Sequence, residues 1–158
     1  MSIPTKDTTY GDITIEGKSY KIFNVPLGNE RINKILQYRE KITGVVYIST
    51  WMLHHYSWII ENNKLYLTAI RFSKGKEAKN HIYDIFATDK LFAQWYTGEI
   101  KALISQESFD IKYQRSSKRI KRRVKLLKFQ NGELLSSDEI IEEFTMRKSL
   151  EELGFILE

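Results

Sequence analysis

The chain has 158 residues, no cysteine and a formal charge of +5. That length suits one domain with a core large enough to fold without staples. Lacking cysteine, it forms no disulfide, no thiolate metal site and no thiol nucleophile, a composition that fits a reducing cytoplasm.

Residues 1–9 are polar, with Lys6 and Asp7 and no apolar core of a signal peptide. They read as a flexible N-terminus. Residues 10–23 read as a first hairpin. Ile13 and Ile15 alternate with polar neighbours, Gly17-Lys18 turns the chain, and Tyr20 and Ile22 alternate on the return. Pro26 ends it, because proline cannot donate to a central ladder. Residues 29–42 predict a helix, with Asn29 as cap, Ile32, Ile35, Leu36 and Ile42 as its apolar stripe, and Gly44 as its stop. Arg31, Lys34, Arg39 and Lys41 fall mostly outside that stripe and read as a solvated face.

The longest apolar stretch, 45–70, is broken by Glu61-Asn62-Asn63-Lys64. Asparagine tolerates the positive φ of a tight primed turn, so the stretch predicts a central hairpin that supplies the core. Residues 72–80 are polar and Lys-rich and read as an exposed loop. Residues 82–86 form a short apolar run. Thr88 reads as the cap of a short helix over 88–96, whose Leu91, Phe92 and Trp95 share a face. Residues 100–104 and 109–113 are candidate strands. Asn131-Gly132 is the strongest turn signal, and it predicts Phe129 opposite Leu134. Ser136 with Glu139, and Ser149 with Glu152, are spaced as capping boxes. They predict an acidic helical extension over 136–158. No run approaches the length of a membrane span.

The charge is divided. Residues 110–129 hold nine Lys or Arg and one Asp, whereas residues 133–158 hold eight acidic and two basic residues. Such asymmetry marks either a polyanion site or two parts of one fold that attract each other.

Two segments carry a resemblance. Trp58-Ile59-Ile60-Glu61-Asn62-Asn63-Lys64-Leu65-Tyr66-Leu67 resembles the signature of a family of small, uncharacterised bacterial proteins. In that family a Trp-led strand turns through Asp/Asn-Lys into Leu-Tyr-Leu. Leu91-Phe92-Ala93-Gln94-Trp95-Tyr96-Thr97-Gly98-Glu99-Ile100 resembles its second signature, a helix-to-strand segment with Trp-aromatic-Ser/Thr-Gly. Phe23-Asn24-Val25-Pro26-Leu27 is similar to its N-terminal strand exit. The likeness covers residues 10–135. His54-His55-Tyr56 replaces an Arg-Gly-Tyr common in members, and the acidic tail is an addition. The resemblance implies a bacterial cytoplasmic origin and brings no catalytic assignment.

The basic segment is the leading binding candidate. As a helix it would offer a narrow seam of Ile120, Val124 and Leu127. As a strand, which Asn131-Gly132 favours, it projects Arg119, Lys121, Arg123 and Lys125 from one face. With Lys112 and Arg115 these are the candidate partner-binding residues. Such a row suits a phosphate backbone. Lys-rich strands equally guard sheet edges, and the acidic tail can cover the patch through Glu142, Glu143, Glu151 or Glu152.

His54 and His55, adjacent in a strand, point to opposite faces and make a poor metal pair. His81 with Asp84 is the remaining combination. No Gly-x-Ser-x-Gly and no P-loop is present, so no catalytic, metal or cofactor residue is assigned. Tyr47, Trp51, Tyr56, Trp58, Tyr66, Trp95 and Tyr96 exceed what a small single-layer core hides; Trp58 and Trp95 read as core, and an exposed patch among the others suits a protein interface.

The sequence therefore predicts an α+β fold: a curved, mostly antiparallel sheet of about six to eight strands with the helices named above. It predicts a non-enzymatic cytoplasmic module that binds a protein partner, as an immunity-type or regulatory protein does. The alternative is an RNA- or DNA-binding domain using residues 112–128.

Overall fold

The computed structural model describes residues 9–44, 54–73, 78–149 and 152–154. Their elements are β1 (Gly11–Ile15), β2 (Lys18–Ile22), α1 (Gly28–Thr43), β3 (His55–Glu61), β4 (Lys64–Arg71), α2 (Ile82–Phe86), β5 (Leu91–Phe92), β6 (Gly98–Ile111), β7 (Gln114–Gln130) and β8 (Glu133–Arg147). The sheet order is β3-β1-β2-β6-β7-β8-β4-β5, and a further β3–β4 pairing closes seven strands into a barrel. The protein is thus mostly β, and the expected α+β class is wrong.

Local turn chemistry explains the hairpins. Asn62 and Asn63 adopt φ of 51° and 61°, and Asn131 and Gly132 adopt 50° and 78°. These left-handed pairs match the twist of the strands they join. Phe129 lies opposite Leu134, as expected. In the first hairpin the turn residues are Glu16 and Gly17, one position earlier than read from sequence. Gly132 is also a close-approach site, since a Cβ there would stand 2.5 Å from the Ala93 carbonyl oxygen. Its carbonyl accepts from Leu65 N–H and its N–H donates to Tyr96 O, both at 2.8 Å.

Among the described residues two expected helices are absent. Residues 88–96 hold strand β5, which pairs with β4 through Tyr66↔Phe92 and Leu67↔Leu91. The Ala93 N–H donates to Leu65 O at 2.8 Å, so the sheet takes backbone groups that a helix would use internally. Residues 82–86, read as an apolar run, form α2 instead. The acidic extension begins as β8, not as a helix. It pairs with β7 from Ser117↔Arg147 to Gln130↔Glu133. Ser136 and Glu139 both lie in this strand. The second capping box does form: Ser149 N–H donates to Glu152 Oε1 at 3.1 Å, and Glu152 N–H donates to Ser149 Oγ at 3.2 Å.

The core fills the barrel. It gathers Ile13, Ile22, Tyr56, Trp58, Leu65, Leu67, Ile100, Ala102, Leu127 and Phe129, with Ile35 from α1 and Ile82 and Ile85 from α2. The 56–70 part of the expected central hairpin lines this core, and residues 45–53 lie outside the described set. Ile42 is exposed, so the α1 stripe ends earlier than expected. Tyr38 packs against the core instead. Leu27, not Asn29, is the cap of α1, while Gly44 closes its other end in the left-handed conformation.

Beyond the barrel the last three strands continue alone. β2 meets β6 only at Ile22↔Ala102, and β4 meets β8 only at Lys64↔Glu133. Past those seams, β6, β7 and β8 form a three-stranded antiparallel arm.

Candidate functional site

The arm holds the sequence-predicted residues. In a strand, side chains alternate between faces. Arg115, Arg119, Lys121 and Arg123 are all exposed on β7. Lys112 falls in the β6–β7 turn, with its Nζ 5.2 Å from the ring centroid of Tyr113. Lys125 is half-buried and lies 5.4 Å from the Tyr20 ring, nearer the barrel.

The acidic strand meets this row in register. Arg119 pairs with Glu143 at 2.7 Å and Arg123 with Glu139 at 3.1 Å. Lys121 lies opposite Glu107 of β6 and Glu143 of β8. Lys101 pairs with Glu142. After β8 the chain returns to β7, where Lys118 meets Glu152 at 2.8 Å. That contact, with the Ser149 bonds, holds the Glu152 carboxyl down at about 2. The three strands carry ten cations against eight carboxylates, so little net field remains for a polyanion. Exposed pairs contribute only about 0–1 kcal/mol each, but as cross-strand pairs they fix the register of β8 on β7.

Arg122, within the 112–128 segment assigned to the nucleic-acid alternative, does not stand with the outward cations. It is 3 % exposed and lies between the rings of Phe23 and Phe144, 4.1 and 4.9 Å from their centroids. Its Nε and Nη2 donate to Gln106 Oε1 at 3.0 and 2.8 Å. A desolvated cation–π contact contributes about 2 kcal/mol, so this cation holds the arm's inner face together. The signal was its parity. Arg122 shares a face with Ile120 and Val124, both fully buried, and alternates with the outward Lys121 and Arg123. Phe23, Asn24, Lys101, Arg122, Glu142, Glu143 and Phe144 line a cleft of about 550 Å³ at this point.

The outer face also shows apolar groups. Phe109 is 47 % exposed and Ile141 is 61 % exposed. Phe109 lies opposite Arg119 and Ile141 opposite Arg123. Tyr113, at the tip, is 92 % exposed. Trp58 is buried in the core, as expected, and Tyr56 is buried there too, so Tyr56 adds nothing to an aromatic surface. Trp95 is half-buried, and its Nε1–H donates to Pro26 O at 2.8 Å.

Two of the three histidines, His54 and His81, converge on Phe72. The His54 and His81 rings lie 5.0 and 4.4 Å from its centroid. His81 is 3.8 Å from Asp84, and Tyr38 donates to Asp84 at 3.2 Å. His54 is buried and contacts Arg39 through Nε2, with its Nδ1 3.1 Å from the Tyr56 hydroxyl. Burial, aided by Arg39, pushes His54 down to about 3. Burial lowers His81 as well. Among the described residues no group of three His, Cys, Asp or Glu side chains is arranged to hold a metal. Of the α1 cations, Lys34 and Lys41 are exposed as expected, whereas Arg31 and Arg39 are half-buried. Arg31 stacks 3.9 Å from the Trp95 ring, and Lys34 lies 5.1 Å from Phe86.

Comparisons with protein-family models, with curated proteins and with solved structures found no significant match. Among the described residues no helix is long and apolar enough to cross a membrane. Fold and site together define a β-barrel that carries a charge-laddered sheet arm.

Proposed function

We propose that the chain is a binding module that engages a protein partner through the β6–β8 arm, as an immunity-type or regulatory protein would. One observation carries the reading: Phe109 and Ile141 stand exposed beside Arg119 and Arg123 on a sheet that extends past the barrel. Aromatic residues and arginine are the types favoured at protein interfaces, and an exposed apolar group beside them supplies desolvation energy. The nucleic-acid alternative is less well supported, because Glu139 and Glu143 already pair with the cations it needs.

A photo-crosslinking amino acid at position 109 or 141, compared with position 83 on α2, tests this in extract of the source cells. The expected result is a discrete, nuclease-resistant and protease-sensitive adduct from the two arm positions only. No adduct from the arm, or one that nuclease removes, contradicts the reading.

A further inference from the structure

We propose that the outer edge of β8, over residues 135–145, is a docking edge for an extended Lys- or Arg-bearing segment of the partner, which adds to the sheet as a further strand. The proposal rests on the protein-partner reading and gives it a mode of binding. Among the described residues no strand pairs with this edge beyond Glu133. The Leu134 N–H still donates to Asn63 O, at 2.7 Å, and there the barrel ends. A strand edge of this kind presents a row of backbone donors and acceptors, and strand addition uses them for affinity.

Each edge strand of the arm has one register shift close to the barrel, between Leu103 and Ser105 on β6 and at Leu135 on β8, and each continues through a polar run, Ser105-Gln106-Glu107-Ser108 on β6 and Ser136-Ser137-Asp138-Glu139 on β8. A bulge and polar side chains are the usual guards of an edge. Residues 134–146 of β8 contain no Gly, Pro or Lys, and they include the β-branched Ile140, Ile141 and Thr145. Leu135 and Ile141 are both more than half exposed. From Ser136 to Met146 β8 is thus regular in register, apolar in part and open along its outer edge among the described residues, and alternate side chains on it can read an incoming strand.

Charge selects the occupant. Asp138, Glu139, Glu142 and Glu143 lie on this strand, with no cation between Glu133 and Met146. Asp138 lies opposite Leu126 and has no cross-strand cation. Glu139 and Glu143 each meet one β7 cation, and a carboxylate has acceptor capacity for a second donor. A second copy docking edge to edge about Ile141 would set Glu139 against Glu143 of its mate, and like charges directly opposite are unfavourable. A basic extended segment places its cations where those carboxylates can receive them.

The test uses the full chain and a fluorescent octapeptide, Lys-Val-Lys-Thr-Lys-Val-Lys-Thr, read by anisotropy. A second peptide of the same sequence is N-methylated along one edge, which removes backbone donors and keeps the charge. Binding should weaken at least about tenfold for the methylated peptide. It should weaken as much for Asp138→Lys/Ile141→Lys, whose thermal melt reports whether the fold is intact. Hydrogen exchange at residues 135–145 should slow on binding. Three results overturn the proposal: no binding, equal binding of the methylated peptide, or a dimer of the chain in sedimentation that the edge variant abolishes. If the strand fails while position 109 still forms its protein adduct, the partner reading survives. If both fail, both go.

Discussion

Replacing Gly11 by alanine should destabilise the protein by about 3 kcal/mol or more, at the upper end of what overpacking costs. The β1–β3 pair is parallel, with Gly11 opposite Tyr56, and Tyr56 N–H donates to Tyr10 O at 3.0 Å. A Cβ on Gly11 would stand 1.7 Å from the Tyr56 carbonyl oxygen. That oxygen belongs to the backbone and cannot rotate away, so the strands must part. Their separation opens the barrel at β3, where Trp58 and Tyr56 enter the core. Gly17→Asn is the matched control. Gly17 has a positive φ of 80°, nothing lies within 4 Å of its Cβ position, and asparagine tolerates that conformation. Urea midpoints measure both variants. An unchanged midpoint for Gly11→Ala contradicts the parallel closure.

Acid should weaken the fold through His54. Its pKa falls from 6.5 to about 3 on folding, because it is buried and touches Arg39. A proton on that ring would sit beside a guanidinium, with water excluded. The unfolded chain therefore binds the proton first as pH falls. The contribution is complete above pH 6.5 and is lost progressively towards the folded pKa, at about 1.4 kcal/mol per pH unit. His81, also lowered, acts with the same sign, with Asp84 opposing and Lys79 reinforcing its shift. Glu152 acts with that sign too, only below the ordinary carboxylate range. Urea midpoints between neutral pH and pH 5 should fall in the native chain and fall less steeply in His54→Gln. A flat profile in the native chain contradicts the placement of His54 against Arg39.

The contrast between what was legible in the sequence and what was not follows the range of the interactions. Asn62-Asn63 and Asn131-Gly132 declare their turns locally, because few residues accept positive φ. Tyr113, at φ 67°, carries no such signal, so one long β6–β7 hairpin reads as separate strands. Leu91, Phe92 and Trp95 have helical spacing, yet the Leu65 carbonyl takes the Ala93 N–H and tertiary pairing overrides the local pattern. The acidic extension was misread for a similar reason. Ser136 and Glu139 have cap spacing, but Ile140 and Phe144 alternate with exposed Ile141 and Thr145 at period two. The charge division was the better guide, since β8 carboxylates do face β7 cations. At the site, alternation placed Arg119, Lys121 and Arg123 together and concealed Arg122 among them.

Oxidative cross-linking of Lys121→Cys with Glu143→Cys tests this arrangement most directly. The native chain has no cysteine, so the introduced thiols are the only pair. Directly opposed residues of an antiparallel ladder have Cβ atoms about 4.5–5.5 Å apart, close to disulfide reach. Lys121 and Glu143 are such a pair, whereas Glu142 points to the other face. The Lys121→Cys/Glu143→Cys chain should close quantitatively under mild oxidant, and Lys121→Cys/Glu142→Cys should remain reduced. Failure of the first to close, or equal closure of both, would contradict the charge ladder and the partner-binding arm built on it.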